Sequence, residues 1–441
     1  MLNFSQAIRF GLLDTFTGQE IYSYYRHFKQ SFFWSREKLI DYQNKQLRKL
    51  ISLSYRDVPY YRSLFDEAGL KPDDINNIDD LKKIPVLTRE LLRENFELLK
   101  TRGEIPRKVV PGSSSGTTGI PVKYIHENAA ESAGIAAGFA LYNISGYTLG
   151  RRRLHIWGNP TSFRKWDKWQ SRFKRRLINQ FNYPAFQLND IRNYKDLLIQ
   201  IKRIKPEYID GYTCAIGSFA LWLRENDIKL KEIKAVFTTA ENLNEINRDV
   251  ISEFIGPVSD LYGCGEINGI AIQPAGEQKY YILESHVIVE CQDFNGSCEL
   301  IVTDLDNSFM PLIRYKIGDT VDGIYNPDSS ELYPFRYFRK IDGRTSDYIL
   351  LPGGKVIHPV NMLGGTFLRK FPQIKKHRVV WNGKVLNFEI EVSGELNLSG
   401  LESEIGQNLE GYDIPFTVTV RDRLLPSANG KFRYVEILKP E

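Results

Sequence analysis

The sequence predicts a mixed α/β protein: a large N-terminal body with mostly parallel sheets and a strand-rich part, followed by a small, mobile C-terminal α+β lid. Three observations predict this. YKDLLIQIKRI, EYIDGY, SFALWLREN, IKAVFTTAE, EINRDVISEFI and VSDLYG alternate helix-like and strand-like runs, the pattern of βαβ units around a parallel sheet. SHVIVE, CELIVTDLD and LIRYKIGD then follow one another as strands without intervening helices. IDGRTSDYILLPGGK breaks the chain with glycines and polar residues, and HRVVWN, NFEIEVS and PFTVTVRD beyond it read as strands of a separate piece.

Taken from the start, residues from about 20 to 100 read as helices. Leu47, Leu50, Ile51 and Tyr55 recur at helical spacing ahead of Pro59, and Thr88 opens a further helix. RKVVPGSSSGTTGIPVKYIH then holds two short β-like runs separated by small and hydroxylated residues. A chain of 441 residues predicts more than one packed unit. We place the boundaries at 1–343 for the body, 344–347 for a hinge and 348–441 for the lid. With 59 basic and 54 acidic residues, the charge is too balanced for a nucleic-acid binder. The four cysteines, Cys214, Cys264, Cys291 and Cys298, form no C-x-x-C pair and no disulfide framework, so the expected compartment is a reducing cytoplasm. Cys291 and Cys298 read as buried thiols. No apolar run is long enough to span a membrane, and the N-terminus is a poor signal peptide.

Ser113, Ser114, Ser115, Gly116, Thr117, Thr118 and Gly119 form the densest chemical signal. Small residues let the backbone curl round an anion, while N–H groups and hydroxyls donate to phosphate oxygens. No Gly-Lys-Ser/Thr follows at the spacing of a Walker loop. Gly112 to Gly116 matches the G-x-S-x-G elbow of hydrolases, but Gly119, Pro121 and the β-like VKYI stand where that elbow requires a helix. Tyr262-Gly263-Cys264-Gly265-Glu266 ends a strand in a glycine-flexed turn with a carboxylate, which suits Mg²⁺. Asp319, in RYKIGD, suits ribose hydroxyls, and Arg344 suits hydroxyls or phosphates. Lys431 ends the turn LPSANGK. Singly, each of these is more often a surface residue than a site.

In combination and order, SSSGTTGIP, TTAEN, YGCGE, RYKIGD, DGRTSD and PSANGK resemble the adenylate-forming superfamily of acyl-CoA synthetases and adenylation domains. The sequence is most similar to its phenylacetate–CoA ligase branch and to the relatives of that branch encoded with capsular-polysaccharide genes. The resemblance runs from about residue 40 to 435. It implies ATP-dependent adenylation of a carboxylic acid to acyl-AMP with pyrophosphate release, then acyl transfer to CoA or another acceptor, in a setting such as polysaccharide biosynthesis.

The resemblance also implies roles for residues. Ser114, Ser115, Gly116, Thr117, Thr118 and Gly119 would line the ATP phosphates. Ala240 and Glu241 would flank adenine, Tyr262 and Gly263 would lie against the nucleotide, and Asp319 and Arg344 would hold the ribose. Glu266 would take Mg²⁺, and Lys431 would be the catalytic cation between the substrate carboxylate and the α-phosphate. Domain rotation would pivot at Ser346 or Asp347, where this sequence departs from the usual Asp or Lys. The Cys/His zinc site of some relatives lacks its cysteines before His286, so no structural zinc is expected. Two other functions fit the same fold: adenylyl transfer to a non-carboxylate acceptor, and a non-catalytic nucleotide-binding scaffold of polysaccharide assembly. Outside the motifs, residues 163–177 are basic with Trp166, Trp169 and Phe173 on one helical face. This reads first as a core-facing stripe and second as a membrane-surface contact.

Overall fold

The computed structural model describes residues 4–104, 108–114, 122–158, 169–328, 331–344, 349–350, 356–357, 370–410, 412, 414–425 and 432–438. Two compact units form, and each is assembled from separate stretches of chain. The first takes 1–151, 176–179 and 259–341; the second takes 152–175, 180–258 and 342–441.

The first unit opens with the expected helices, among them Ile21–Ser31, Arg36–Asp57, Pro59–Glu67 and Arg89–Glu94. The long one starts where the Ser35 side chain accepts the Lys38 N–H. It buries Leu39, Leu47, Leu50 and Ile51 at three- and four-residue spacing. It stops at Val58, which the following proline holds extended, and Pro59 begins the next helix at its first turn. SHVIVE, CELIVTDLD and RYKIGD become three antiparallel strands, Val287–Phe294, Ser297–Asp304 and Tyr315–Val321. Asn295 and Gly296 both adopt positive φ, the two-residue turn that matches strand twist in a tight hairpin. That hairpin brings Cys291 and Cys298 together as a disulfide with Cα atoms 5.2 Å apart. The expectation of two buried thiols therefore fails: both cysteines are bonded to each other, and Cys291 is exposed.

One element of this unit escapes the periodicity argument. The helix Asn128–Ile144 is rich in alanine and glycine and buries Ala130, Ala133, Ala136, Ala137 and Ala140, which cover more than one face. Its small side chains allow close approach. A Cβ on Gly269, whose φ is +71°, would sit 2.7 Å from the Ala137 Cβ. This packing seats the turn that carries Glu266 directly on the helix.

In the second unit the alternating runs do form a parallel sheet, ordered Ala235–Thr239, Tyr208–Tyr212, Arg153–Trp157 and Gln180–Pro184. The helices Asn193–Ile204, Thr213–Glu225 and Glu245–Phe254 bury Leu197, Ile216, Phe219 and Ile251 in a core with Ile209 and Val236 of the strands. The C-terminal residues add a mixed four-stranded sheet, ordered Phe416–Arg421, Leu386–Val392, Ile374–Trp381 and Val435–Ile437, with the helix Leu398–Asn408. Its own core contains Val379, Phe388, Ile390, Leu401 and Ile405. In the basic segment, helix is present at Trp169–Leu177, but Phe173 is 47% exposed, so the core-facing reading does not hold there. Among the described residues no helix is long and apolar enough to cross a membrane.

A buried carboxylate ties the first unit's helices to its strands. Glu284, with no solvent exposure, pairs with the Arg36 guanidinium and accepts from Arg336 Nε at 2.6 Å and Arg336 N–H at 2.9 Å. Removing the carboxylate leaves two arginines without their shared partner. Glu284→Ala is therefore expected to destabilise the protein by about 3 kcal/mol, on the scale of a broken buried pair. Denaturant unfolding checks this, and a loss under about 1 kcal/mol would show that the pair is screened as surface pairs are.

Candidate active site

Glu266 lies on the turn after the strand Val258–Tyr262. The turn is closed by hydrogen bonds from the Cys264 N–H to the Ile267 carbonyl and from the Ile270 N–H to the Tyr262 carbonyl. Glycine is required at Gly263, where a Cβ would stand 2.9 Å from the Gly269 nitrogen. Glu266 has no solvent exposure. One carboxylate oxygen accepts the Tyr315 hydroxyl at 3.0 Å, while the other, Oε2, is buried without a partner among the described residues. A buried carboxylate oxygen left unbonded costs on the order of 1–3 kcal/mol, so its persistence points to a ligand. The donor type fits a hard divalent cation such as Mg²⁺.

Three residues that the sequence reading did not single out surround this carboxylate. Tyr315 supplies its one hydrogen bond, and burial next to Glu266 pushes that phenol's pKa up. His126 donates from Nε2 to the Glu266 backbone carbonyl at 2.8 Å and from Nδ1 to Glu131 at 3.1 Å. Burial alone would lower the His126 pKa, but these two acceptors outweigh it and raise the value. Arg89 is the third. Its Nε is buried without a hydrogen-bond partner among the described residues, and its charge interacts with Tyr315, Glu266, Asp319 and Cys264. A sequence signal for Arg89 existed. It is the first residue of a helix capped by Thr88, where a cation opposes the helix dipole and needs another reason to be there.

The structure joins two expected nucleotide residues of this unit. Tyr262 donates its hydroxyl to Asp319 at 2.8 Å, and its ring packs edge-on to Phe338. Ser114 closes the neck of the hydroxyl-rich loop: its N–H bonds the Val122 carbonyl at 2.9 Å, and its hydroxyl accepts the Val122 N–H at 3.4 Å. Tyr124 covers the same hairpin, since a Cβ on Gly112 would fall 2.2 Å from its ring. Ser115, Gly116, Thr117, Thr118, Gly119, Ser346, Asp347 and Lys431 lie outside the described residues.

In the second unit, Ala240 adopts φ +73°, a left-handed conformation that costs a non-glycine residue on the order of 1–2 kcal/mol. Glu241 follows it and bonds three residues from two parts of the chain. Its backbone carbonyl accepts the Thr213 hydroxyl at 3.2 Å, and its carboxylate accepts the N–H groups of Cys214 at 2.7 Å and Phe432 at 2.6 Å. Arg344 ends the strand Ile341–Arg344 and is half-buried.

His286, Asp304 and Asp306 form a second buried cluster of the first unit, with one potential ligand atom each within 4.8 Å. His286 Nδ1 faces Asp306 at 2.5 Å and Nε2 faces the Asn268 carbonyl at 3.0 Å, so both nitrogens act as donors to acceptors. Burial lowers the His286 pKa, but Asp306 outweighs it and raises the value overall. This histidine is an imidazolium in an ion pair.

No family model matches the chain. Protein CapK of Staphylococcus aureus is 26% identical over 353 residues, covering 77% of this chain and 76% of that protein. Phenylacetate–coenzyme A ligases are similar too: that of Thermus thermophilus is 27% identical over 349 residues, covering 73% of this chain and 74% of the ligase. Among solved structures, 2-hydroxyisobutyryl-CoA ligase in its postadenylation state superposes with a TM-score of 0.69 at 15% identity, over 89% of this chain and 88% of that one. The chain is thus CapK-like and phenylacetate–CoA ligase-like in sequence, and it has the fold of adenylate-forming ligases.

A raised folded pKa makes the His286 contribution complete below its unfolded value of about 6.5 and lost as pH rises through the folded value. The melting temperature of the wild type is expected to fall between pH 6 and pH 9. The fall is expected to be smaller in Asp306→Asn, where the pairing carboxylate is gone. Equal slopes would show that the pair does not carry this dependence.

Proposed function

We propose that this chain is an ATP-dependent ligase that converts a carboxylic acid to its acyl-adenylate and then passes the acyl group to CoA. The observation that carries the reading is the buried Glu266 carboxylate, with one oxygen unpaired, next to Arg89 and the bonded pair Tyr262–Asp319. Relatives named phenylacetate–coenzyme A ligase and the shared fold support it.

Carboxylate attack on the α-phosphorus of ATP brings anions together and expels pyrophosphate. The protein must supply positive charge and fixed hydrogen bonds without reorganising at the moment of reaction. Glu266 would hold Mg²⁺, which when bound neutralises phosphate charge. Arg89 would donate to a phosphate group through the guanidinium that the fold leaves unsatisfied. Asp319, oriented by the Tyr262 hydroxyl, would accept from ribose hydroxyls, and Arg344 would donate to ribose oxygens. Ser114 sets the neck of the loop from which Ser115 to Gly119 would wrap the phosphates. Ala240 and Gly263 would bring backbone close to the base and the nucleotide. Lys431 would span the substrate carboxylate and the α-phosphate, and rotation about Ser346 or Asp347 would exchange it for the CoA-binding face. In this reading 1–343 is the body and 348–441 the moving lid.

Pyrophosphate release from ATP and Mg²⁺ across a panel of aryl, fatty and hydroxy acids tests the reading, followed by thioester formation on adding CoA. Silence of the wild type toward every acid would overturn it. With an active acid, Lys431→Ala is expected to slow pyrophosphate release by about 100-fold or more while ATP affinity changes little. Arg89→Ala is expected to weaken ATP binding and slow the same step by about tenfold, the scale of one lost charge-assisted contact to phosphate. An unchanged rate in either variant would remove that residue from the site.

A further inference from the structure

In the parallel sheet of the second unit, one face carries a cluster of polar side chains. The other face turns Leu154, Ile156 and Ile209 into the core that the helices cover. On the polar face, His155 stands directly across from Asp210 on one neighbouring strand and from Asn182 on the other. Asp210 is only 2% exposed. Its Oδ2 accepts from Arg153 Nη1 at 3.0 Å and from His155 Nδ1 at 2.7 Å. Its Oδ1 is buried without a partner among the described residues. Burial would raise the Asp210 pKa, but Arg153 and His155 outweigh it and hold the carboxyl below its ordinary value. Arg153 donates in turn to the Gln180 side-chain carbonyl at 2.5 Å, and the Gln180 amide donates to Asn182 at 2.8 Å.

The ion pair fixes the chemistry of the histidine. The Arg153 guanidinium already matches the Asp210 charge, so the imidazole serves as a neutral donor from Nδ1 and keeps a lone pair on Nε2. Nε2 has no hydrogen-bond partner among the described residues, and the His155 side chain is 21% exposed. Two acceptors, His155 Nε2 and Asp210 Oδ1, therefore stand idle on one bonded pair. A shielded acceptor without a donor is a cost that a donor from outside removes.

The pair lies two residues inward from the carboxyl ends of its strands, where α/β sheets receive ligands. The His155 ring stacks on Trp157 at 5.4 Å, and Trp157 meets Tyr212 at 4.2 Å. Tyr212 stands across from Thr239, the residue before Ala240. One row of strand ends thus leads from the segment expected to flank adenine, through Tyr212 and Trp157, to the polar pair.

We propose that His155 and Asp210 recognise a hydroxyl group on the acyl substrate, so that the acid this protein activates is a hydroxylated carboxylic acid. The proposal rests on the adenylating reading of the site and names its substrate class. A hydroxyl fits because it donates to an idle acceptor and can accept from the Asn182 amide across the strand. An ammonium has donors only and would face the Arg153 guanidinium. An unsubstituted hydrocarbon would leave both acceptors unbonded, and a site built to bond a hydroxyl strongly rejects the analogue that lacks it. The rings of Trp157 and Tyr212 supply an apolar wall for the carbon skeleton.

Three pairs of acids test this: 4-hydroxyphenylacetate against phenylacetate, 3-hydroxybutyrate against butyrate, and glycolate against acetate. With ATP and Mg²⁺, kcat/KM for pyrophosphate release is expected to favour the hydroxylated member of at least one pair by about tenfold or more. In His155→Phe, which keeps a ring against Trp157, that ratio is expected to fall by about tenfold or more. His155→Gln, which retains an acceptor, is expected to lose less. Binding is read without turnover by labelling the six histidines with ¹⁵N. The resonance absent from these variants is expected to report Nε2 as the unprotonated nitrogen. It is expected to move on addition of a hydroxylated acid and not of its unhydroxylated partner.

No preference for a hydroxylated member in any pair, an unchanged ratio in His155→Phe, or a resonance that responds alike to both members of every pair would overturn the proposal. A wild type that binds a hydroxylated acid at His155 yet releases no pyrophosphate with any acid would instead sink the adenylating reading and leave the recognition site standing.

Discussion

The structure of the first unit depends on one expensive feature, a carboxylate buried with half its bonding capacity unused. Among the described residues the Glu266 carboxylate is fully shielded and receives one hydrogen bond, from Tyr315. Without compensation such a group would drag water inward. The surroundings resist this. Arg89 places a positive charge within its field, and His126 clamps the backbone carbonyl of the same residue. The tight turn of Gly263 to Gly269 prevents the chain from backing out. Two of these are themselves under strain or partly unsatisfied: Arg89 is a cation at a helix N-terminus whose Nε is buried without a partner among the described residues, and the turn has glycines where no Cβ fits. Local rules are broken together at one place, as happens where a protein keeps a site ready for a ligand.

Small residues make that placement possible. The turn rests on Ala137 and Gly138 of a helix whose alanines let backbone approach backbone. The Tyr124 ring lies over Gly112 and reaches Gly265, so the hairpin of residues 109–127 and the Glu266 turn share one aromatic plate. A larger side chain at Gly112 or Gly265 would separate the two. Gly112, Gly263, Gly265 and Gly269 therefore serve packing, since a Cβ at each would meet a neighbouring ring or backbone.

Much of the fold was legible in the sequence, for reasons that differ by element. The helix Arg36–Asp57 declares itself because it buries one face, and the strands from Val287 to Val321 because short apolar runs such as VIV and LIV are bounded by turn residues. The helix Asn128–Ile144 did not, because alanine and glycine buried on several sides leave no periodic contrast. Arg153–Trp157 and Gln180–Pro184 also escaped. They mix charged, polar and aromatic residues, and Arg153 and Asp210 are buried as an ion pair across neighbouring strands. Within the site, glycine turns and carboxylates in motif order were readable, as Tyr262, Asp319 and Glu266 show. The roles of Tyr315, His126 and Arg89 were not, since they converge on Glu266 from sequence positions up to 177 residues away: Tyr315 lies inside RYKIGD but contacts a different motif, and the position of Arg89 at a helix start says nothing of its partner.

The charges that the first unit gathers say what kind of ligand it can accept. Glu266 and Asp319 bring two carboxylates, and Arg89 brings one guanidinium, all within one electrostatic neighbourhood. A bare polyphosphate would meet more negative than positive charge there and be repelled. A polyphosphate carrying a divalent cation reverses the balance. The cation would satisfy the idle oxygen of Glu266, and the guanidinium would take a phosphate oxygen.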